Sequence, residues 1–134
     1  MISREADYAL RIVLFLAQQE AEGASCTSAL LAKELDIPYY FLRLIIKRLI
    51  EHKFIISRKG RNGGVSLAKN IGDISLYDII ESIHPTGVVL SKCTDRLLGC
   101  DKTKQCALHS VFNNLQQVID KELRDITFET LIKK

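Results

Sequence analysis

Four side chains in the C-terminal half have the types and spacing to bind a metal. Cys93, Cys100 and Cys106 fall within fourteen residues, with six residues between the first two and five between the second two. No Cys-x-x-Cys pair is present, which excludes a zinc knuckle or ribbon. Three thiolates on one loop can still converge on a single centre. His109 follows Cys106 by three residues, one helical turn, so the two can face the same way. Soft thiolates with one imidazole suit an iron–sulfur cluster or zinc. Lys92, Lys102 and Lys104 would offset the negative charge of such a centre. Three unrelated buried cysteines are the plainer alternative, but this polar loop offers few apolar neighbours for a core. Cys26 stands apart and reads as a packed residue or part of a helix cap. His52 and His84 have no partner of this kind and are assigned no role.

A second chemistry lies upstream. The net charge is only +3, from 19 Lys and Arg against 16 Asp and Glu. Its distribution is uneven. Eight basic residues and one acid, Glu51, lie between Arg43 and Lys69, giving that segment +7 and the other 107 residues −4. Such a concentrated field calls for an anionic partner. Tyr39, Tyr40, Arg43 and Lys47 recur at helical spacing on one stripe. Arg58, Lys59 and Arg61 follow around a glycine-rich turn, Gly60-Arg61-Asn62-Gly63-Gly64. The turn joins strand to strand and has no Gly-Lys-Ser/Thr, so it is not a nucleotide-binding loop.

The elements that position these groups follow from periodicity and punctuation. Residues 2–20 read as an amphipathic helix through Ile2, Ala6, Leu10, Val13 and Ala17. Thr27 or Ser28 can cap a second helix reaching about Leu35, with Leu30, Leu31 and Leu35 inward. Pro38 suits the first turn of a third helix running to about His52, with Phe41, Leu42, Ile45, Ile46 and Leu49 inward. Phe54–Arg58 and Val65–Ala68 form a hairpin. Ser75 caps a short helix that ends before Pro85 and Gly87. Residues 85 to about 105 show little periodicity. A long helix spans about Cys106 to Ile126, followed by a final turn, Thr127–Lys133.

Helix, helix, tight turn, helix and hairpin is the order of a winged helix-turn-helix, a mainly α fold with a small β-hairpin wing. In that arrangement the second helix of the pair enters the major groove of double-stranded DNA. Arg43 there can contact guanine in a bidentate fashion, worth ~1–3 kcal/mol of discrimination. The wing residues Arg58, Lys59 and Arg61 can reach phosphates or a narrow minor groove.

Other classes are excluded. With 134 residues, 47% hydrophobic and 26% charged, the chain is sized and composed as one folded domain with an appendage. The longest uncharged apolar run, Ile12–Ala17, has six residues and cannot span a membrane. Glu5 and Asp7 near the start argue against a signal peptide. Four cysteines are too few for a disulfide scaffold, which points to the cytoplasm. A small redox enzyme is disfavoured by the absence of Cys-x-x-Cys and of a paired general base. A regulator of the same fold that senses by thiol oxidation or through a partner is the other alternative.

The chain resembles the winged-helix regulators of the Rrf-two family, of the IscR and NsrR type. The resemblance covers essentially the whole length. It rests on SREADYALRIVLFLA, DIPYYFLRLIIKRLIEHKFIISRKGRNGGVSLAK, SLYDIIESIH, the three-cysteine loop ending CALH, and DITFETLIKK. It implies a homodimeric, DNA-binding transcription regulator that senses redox state, nitric oxide or iron–sulfur status. Its divisions would be a DNA-binding domain at 1–84 with a wing at 54–69, a cluster loop at 85–105, and a dimerisation helix and C-terminal turn at 106–134. Cys93, Cys100 and Cys106 would match the three ligands of a two-iron, or sometimes four-iron, cluster. Some members take the fourth ligand from a histidine three residues after the last cysteine, which matches His109. Others take it from an acid near the partner's N-terminus, which matches Asp7. His109 is favoured for its spacing from Cys106. The loop has six residues between its first two cysteines where five is usual, and the wing tip reads GRNGG.

Overall fold

In the computed structural model, which describes residues 2–19, 24–61, 63–95, 97 and 105–133, the first helix α1 spans Arg4–Ala17. Its start is set by Ser3, whose side-chain oxygen accepts from the Ala6 amide at 3.1 Å. The helix therefore begins later than the periodicity suggested, and Ile2 lies outside it, 47% exposed. Ala6, Ala9, Ile12, Val13 and Leu16 form its buried stripe.

α2 spans Ser28–Leu35 and is capped by Thr27, whose hydroxyl accepts from the Leu30 amide. Asp36, in the left-handed region at φ 51°, turns the chain, and Ile37 is buried in the turn. An aspartate adopts that conformation more readily than most residues. Pro38 opens α3, Tyr39–Glu51. Leu42, Ile45, Ile46 and Leu49 are buried, Phe41 is half-buried, and Leu31 is fully buried on α2. Leu30 departs from expectation. It is 44% exposed, and Leu31 is the buried residue of this short helix.

β1 (Ile55–Arg58) and β2 (Gly64–Leu67) pair antiparallel, with Ile55 opposite Leu67 and Arg58 opposite Gly64. Cys26 adds a bridge to the far side of β2, with Cys26 and Val65 exchanging amide-to-carbonyl bonds of 2.9 and 2.8 Å. A side chain at position 64 would strike the Cys26 carbonyl at 2.6 Å, so glycine is required for this approach.

α4 (Leu76–Ile83) starts with a reciprocal capping box between Ser75 and Asp78 and packs on α1. A 3₁₀ turn, Lys92–Thr94, lies in the segment with little periodicity. α5 (Ala107–Asp125) and α6 (Phe128–Lys133) complete the chain. The expected final turn is thus a short helix. It returns to the first half of the molecule, where Phe128 is fully buried with Ile12, Leu42, Leu49 and Ile79. Backbone bonds from Leu76 N to Ile126 O (2.9 Å) and Phe128 N to Ile74 O (3.1 Å) fix the return. The fold is mainly helical with a two-stranded hairpin, as the sequence pattern indicated.

Because Phe128 closes this core, Phe128→Ala is expected to destabilise the whole domain by about 3–5 kcal/mol. A urea-unfolding midpoint close to that of the parent protein would contradict the placement.

Candidate functional site

The first candidate surface is built on α3 and the hairpin. Tyr39, Tyr40, Arg43 and Lys47 all face solvent, Tyr40 at 72% and Tyr39 at 50% exposure. Arg43 is steadied by its own helix, its guanidinium lying 5.9 Å from the centre of the Tyr39 ring. Tyr40 meets Phe41 edge to face at 6.1 Å. An open cleft of about 670 Å³ separates α3 from the hairpin, bordered by Tyr39, Arg43, Lys47, Ser57 and Val65. Arg58, Lys59 and Arg61 are exposed at the hairpin tip.

The basic residues of this region divide into two groups. Arg48 donates to the Ile83 carbonyl at 2.8 Å, tying α3 to α4, and Lys69 lies 4.5 Å over the Phe54 ring. These two serve the fold. Among the described residues, none of the other six, Arg43, Lys47, Lys53, Arg58, Lys59 and Arg61, takes part in an ion pair that would neutralise its charge.

The second candidate surface lies where the 3₁₀ turn packs on α5. Cys93 sits in that turn, half-buried, with its thiol 3.6 Å from the Ser91 hydroxyl. Cys106 is exposed at the N-cap of α5. His109 lies one turn further on, its amide donating to the Cys106 carbonyl at 3.1 Å. The His109 Nδ1 is buried and has no hydrogen-bond partner among the described residues. Cys100 lies outside the described residues. Among those described, no three His, Cys, Asp or Glu side chains converge on one point.

Asp7 is placed elsewhere, in the first turn of α1, where it accepts from Arg11 Nε at 2.9 Å. That bond raises the Arg11 pKa above its usual value. Cys26 is a packed residue, as its isolation suggested. Burial, and secondarily Glu34, pushes its thiol pKa up, so it is a poor thiolate.

One residue that sequence reasoning passed over holds this region together. Gln116 is 8% exposed on α5. Its Oε1 accepts from the Leu90 amide at 2.7 Å and faces the Thr94 hydroxyl at 3.1 Å. Its Nε2 donates to the Val88 carbonyl at 2.6 Å and to Asp120 at 3.0 Å. A signal was present. Phe112, Gln116, Ile119 and Leu123 form the inward stripe of α5, and glutamine is the polar residue within it. Leu108, Val111, Leu115 and Val118, by contrast, are apolar and 47–58% exposed, at the three-and-four spacing of a helix–helix seam.

Comparison with known proteins decides the family. Residues 2–134 match the Rrf2 family, described as iron-dependent transcriptional regulators. The chain belongs to the Rrf2 family. It is 29% identical over 134 residues to the helix-turn-helix regulator NsrR of Oceanobacillus iheyensis, covering 98% of this chain and 89% of that protein. Its fold matches that of IscR from T. potens with a TM-score of 0.78 at 24% identity, covering 99% of this chain and 86% of that one. It also matches CymR, the global cysteine regulator of B. subtilis, with a TM-score of 0.78 at 20% identity, over 99% and 96% of the two chains. This Rrf2 protein is therefore a DNA-binding transcriptional regulator and not an enzyme. No helix among its described residues is long and apolar enough to cross a membrane.

Proposed function

We propose that this regulator works in the cytoplasm as a homodimer and senses redox, nitric oxide or iron–sulfur status through a cluster held by Cys93, Cys100, Cys106 and His109. The observation that carries this reading is the His109 Nδ1, buried, without a hydrogen-bond partner among the described residues, and one turn from Cys106. A buried polar nitrogen left without a partner costs about 1–3 kcal/mol. A ligand bond would satisfy it. The donor set of thiolates and one imidazole fits a two-iron cluster, with a four-iron cluster the alternative. When bound, the cluster would supply a centre that oxidation or nitric oxide can alter. Cys106 at the N-terminus of α5 sets any such anionic centre at the positive end of the helix dipole. Asp7 is less favoured as a ligand, because it lies exposed on α1 and has no desolvated atom that a ligand bond would satisfy.

On this reading the output surface is α3 and the wing. Arg43, with Tyr39, Tyr40 and Lys47, would read base edges in the major groove, while Arg58, Lys59 and Arg61 would hold the backbone. The exposed seam of α5 would pair two copies, so that two recognition helices meet half-sites about 34–36 Å apart.

Anaerobically purified protein is expected to be coloured, with visible absorption from iron and sulfide, and Cys100→Ala is expected to abolish it. A colourless protein, or one holding only zinc, would overturn the cluster reading in favour of thiol oxidation, which disulfide mapping would then reveal. For DNA, Arg43→Ala should remove about 1–3 kcal/mol of specific binding. Lys59→Ala and Arg61→Ala should weaken all sequences alike and each lower the salt slope by about 1. Equal behaviour of the three variants would refute the assigned surface. Leu115→Lys should convert a dimer to a monomer in sedimentation, and an unchanged sedimentation coefficient would exclude the seam.

A further inference from the structure

The Gln116 carboxamide has two lone pairs and two N–H groups. All four are used, two as acceptor toward Leu90 and Thr94 and two as donor toward Val88 and Asp120. Three of these partners lie on the segment 88–94, which carries Cys93. Thr94 is the residue after Cys93, and its hydroxyl proton is shared between Gln116 Oε1 (3.1 Å) and the Ser91 carbonyl (2.8 Å). The same hydroxyl accepts from the Ser91 amide at 3.1 Å, closing the turn around Cys93. The 3₁₀ turn is therefore fixed on α5 from both of its flanks by one side chain.

We propose that Gln116 is the positioning residue of the sensing segment, holding the turn that carries Cys93 in a single register on α5. The inference deepens the cluster reading and takes its functional meaning from it. The alignment supports it. Gln116 follows His109 by seven residues, about 10 Å along the helix and on nearly the same face. Cys93 on the clamped turn is thereby set relative to Cys106 and His109 on the helix. Gln116 follows Leu115 of the exposed seam in sequence, so the clamp acts on α5 at the level of the proposed dimer contact. An apolar side chain at 116 would leave the Leu90 amide and Val88 carbonyl without these bonds. A glutamate would keep the acceptors, lose both donors, and place a second carboxylate against Asp120.

The test uses the full-length protein with Gln116→Met, which keeps the side-chain length, and Gln116→Glu, which keeps its volume and polarity. In metal-free protein, hydrogen exchange at the Leu90 amide should accelerate about tenfold in Gln116→Met, the worth of one hydrogen bond. Alkylation of Cys93 by iodoacetamide should accelerate several-fold in both variants, while that of Cys106 stays as in the parent. In cluster-loaded protein, the difference in operator affinity between loaded and metal-free forms should shrink toward none, with metal-free affinity unchanged. Parental Cys93 and Leu90 rates in both variants overturn the proposal. So does a full affinity difference that persists once those rates have risen. A parent protein that takes up no cluster overturns the functional reading alone, and the alkylation and exchange rates still decide the role of Gln116. If Gln116→Met fails to fold by circular dichroism, Gln116→Glu, which keeps the acceptor for the Leu90 amide, carries the Cys93 alkylation and operator-affinity comparisons.

Discussion

The structure depends on a chain that must come back to finish the core it began. Phe128 is buried among residues of α1, α3 and α4, and the backbone on either side of it is bonded to residues 74–76. The winged-helix half is therefore closed by residues that lie beyond the cysteine segment and beyond α5. This ties α5 at its far end to the domain that carries α3. Gln116 ties it nearer its start to the turn carrying Cys93. A helix held at both places cannot shift without disturbing one of them. Close-packed cores resist gradual deformation and favour discrete rearrangement. The path from the turn carrying Cys93 to α3 is thus short and made of packed elements. The stacking of Arg124 4.1 Å over Tyr77 adds a further link between α5 and α4.

The charge distribution gains meaning from the same geometry. The +7 segment is not a uniformly solvated run. Arg48 and Lys69 are spent on the fold, one on a carbonyl of α4 and one on an aromatic ring. What remains is six exposed cations, five on α3 and the wing and Lys53 in the turn between them, without ion-pair partners among the described residues. Unneutralised charges of this kind release counterions when they meet a phosphate backbone, which gives salt-dependent affinity. The Tyr39 ring beneath Arg43 adds orientation, which a point charge on a flexible stem lacks.

Much of this was legible in the sequence because it is local. Caps at Thr27 and Ser75, the Pro38 start and the Gly-rich hairpin are each decided by a few adjacent residues. The stripe of Tyr39, Tyr40, Arg43 and Lys47 follows from helical period alone. What escaped was long-range. The burial of Phe128, the bridge between Cys26 and Val65, and the hold of Gln116 on the Cys93 turn all depend on residues brought together from 22 or more positions apart, as Thr94 and Gln116 are. Leu30 failed for a related reason: periodicity marks an apolar face but does not say how wide a surface the partner helix can cover. On the cysteine segment, the spacing of Cys106 and His109 was sufficient to place both on one turn, and Cys93 had to be located by the fold.

The choice between His109 and Asp7 as the fourth donor turns on what each gives up. Asp7 is joined to Arg11 in an exposed pair, the side chains 45% and 60% accessible. Such a pair contributes little, about 0–1 kcal/mol, so surrendering it would cost little. Asp7 therefore has no strong reason to stay and no strong reason to leave. His109 is different. Its Nδ1 is buried and has no hydrogen-bond partner among the described residues. Any ligand that supplies a bond to it recovers a penalty the fold has already incurred, and no existing contact has to break. On the proposed cluster reading, α5 would carry two donors one turn apart, Cys106 and His109, with the Cys93 turn held against the same helix by Gln116.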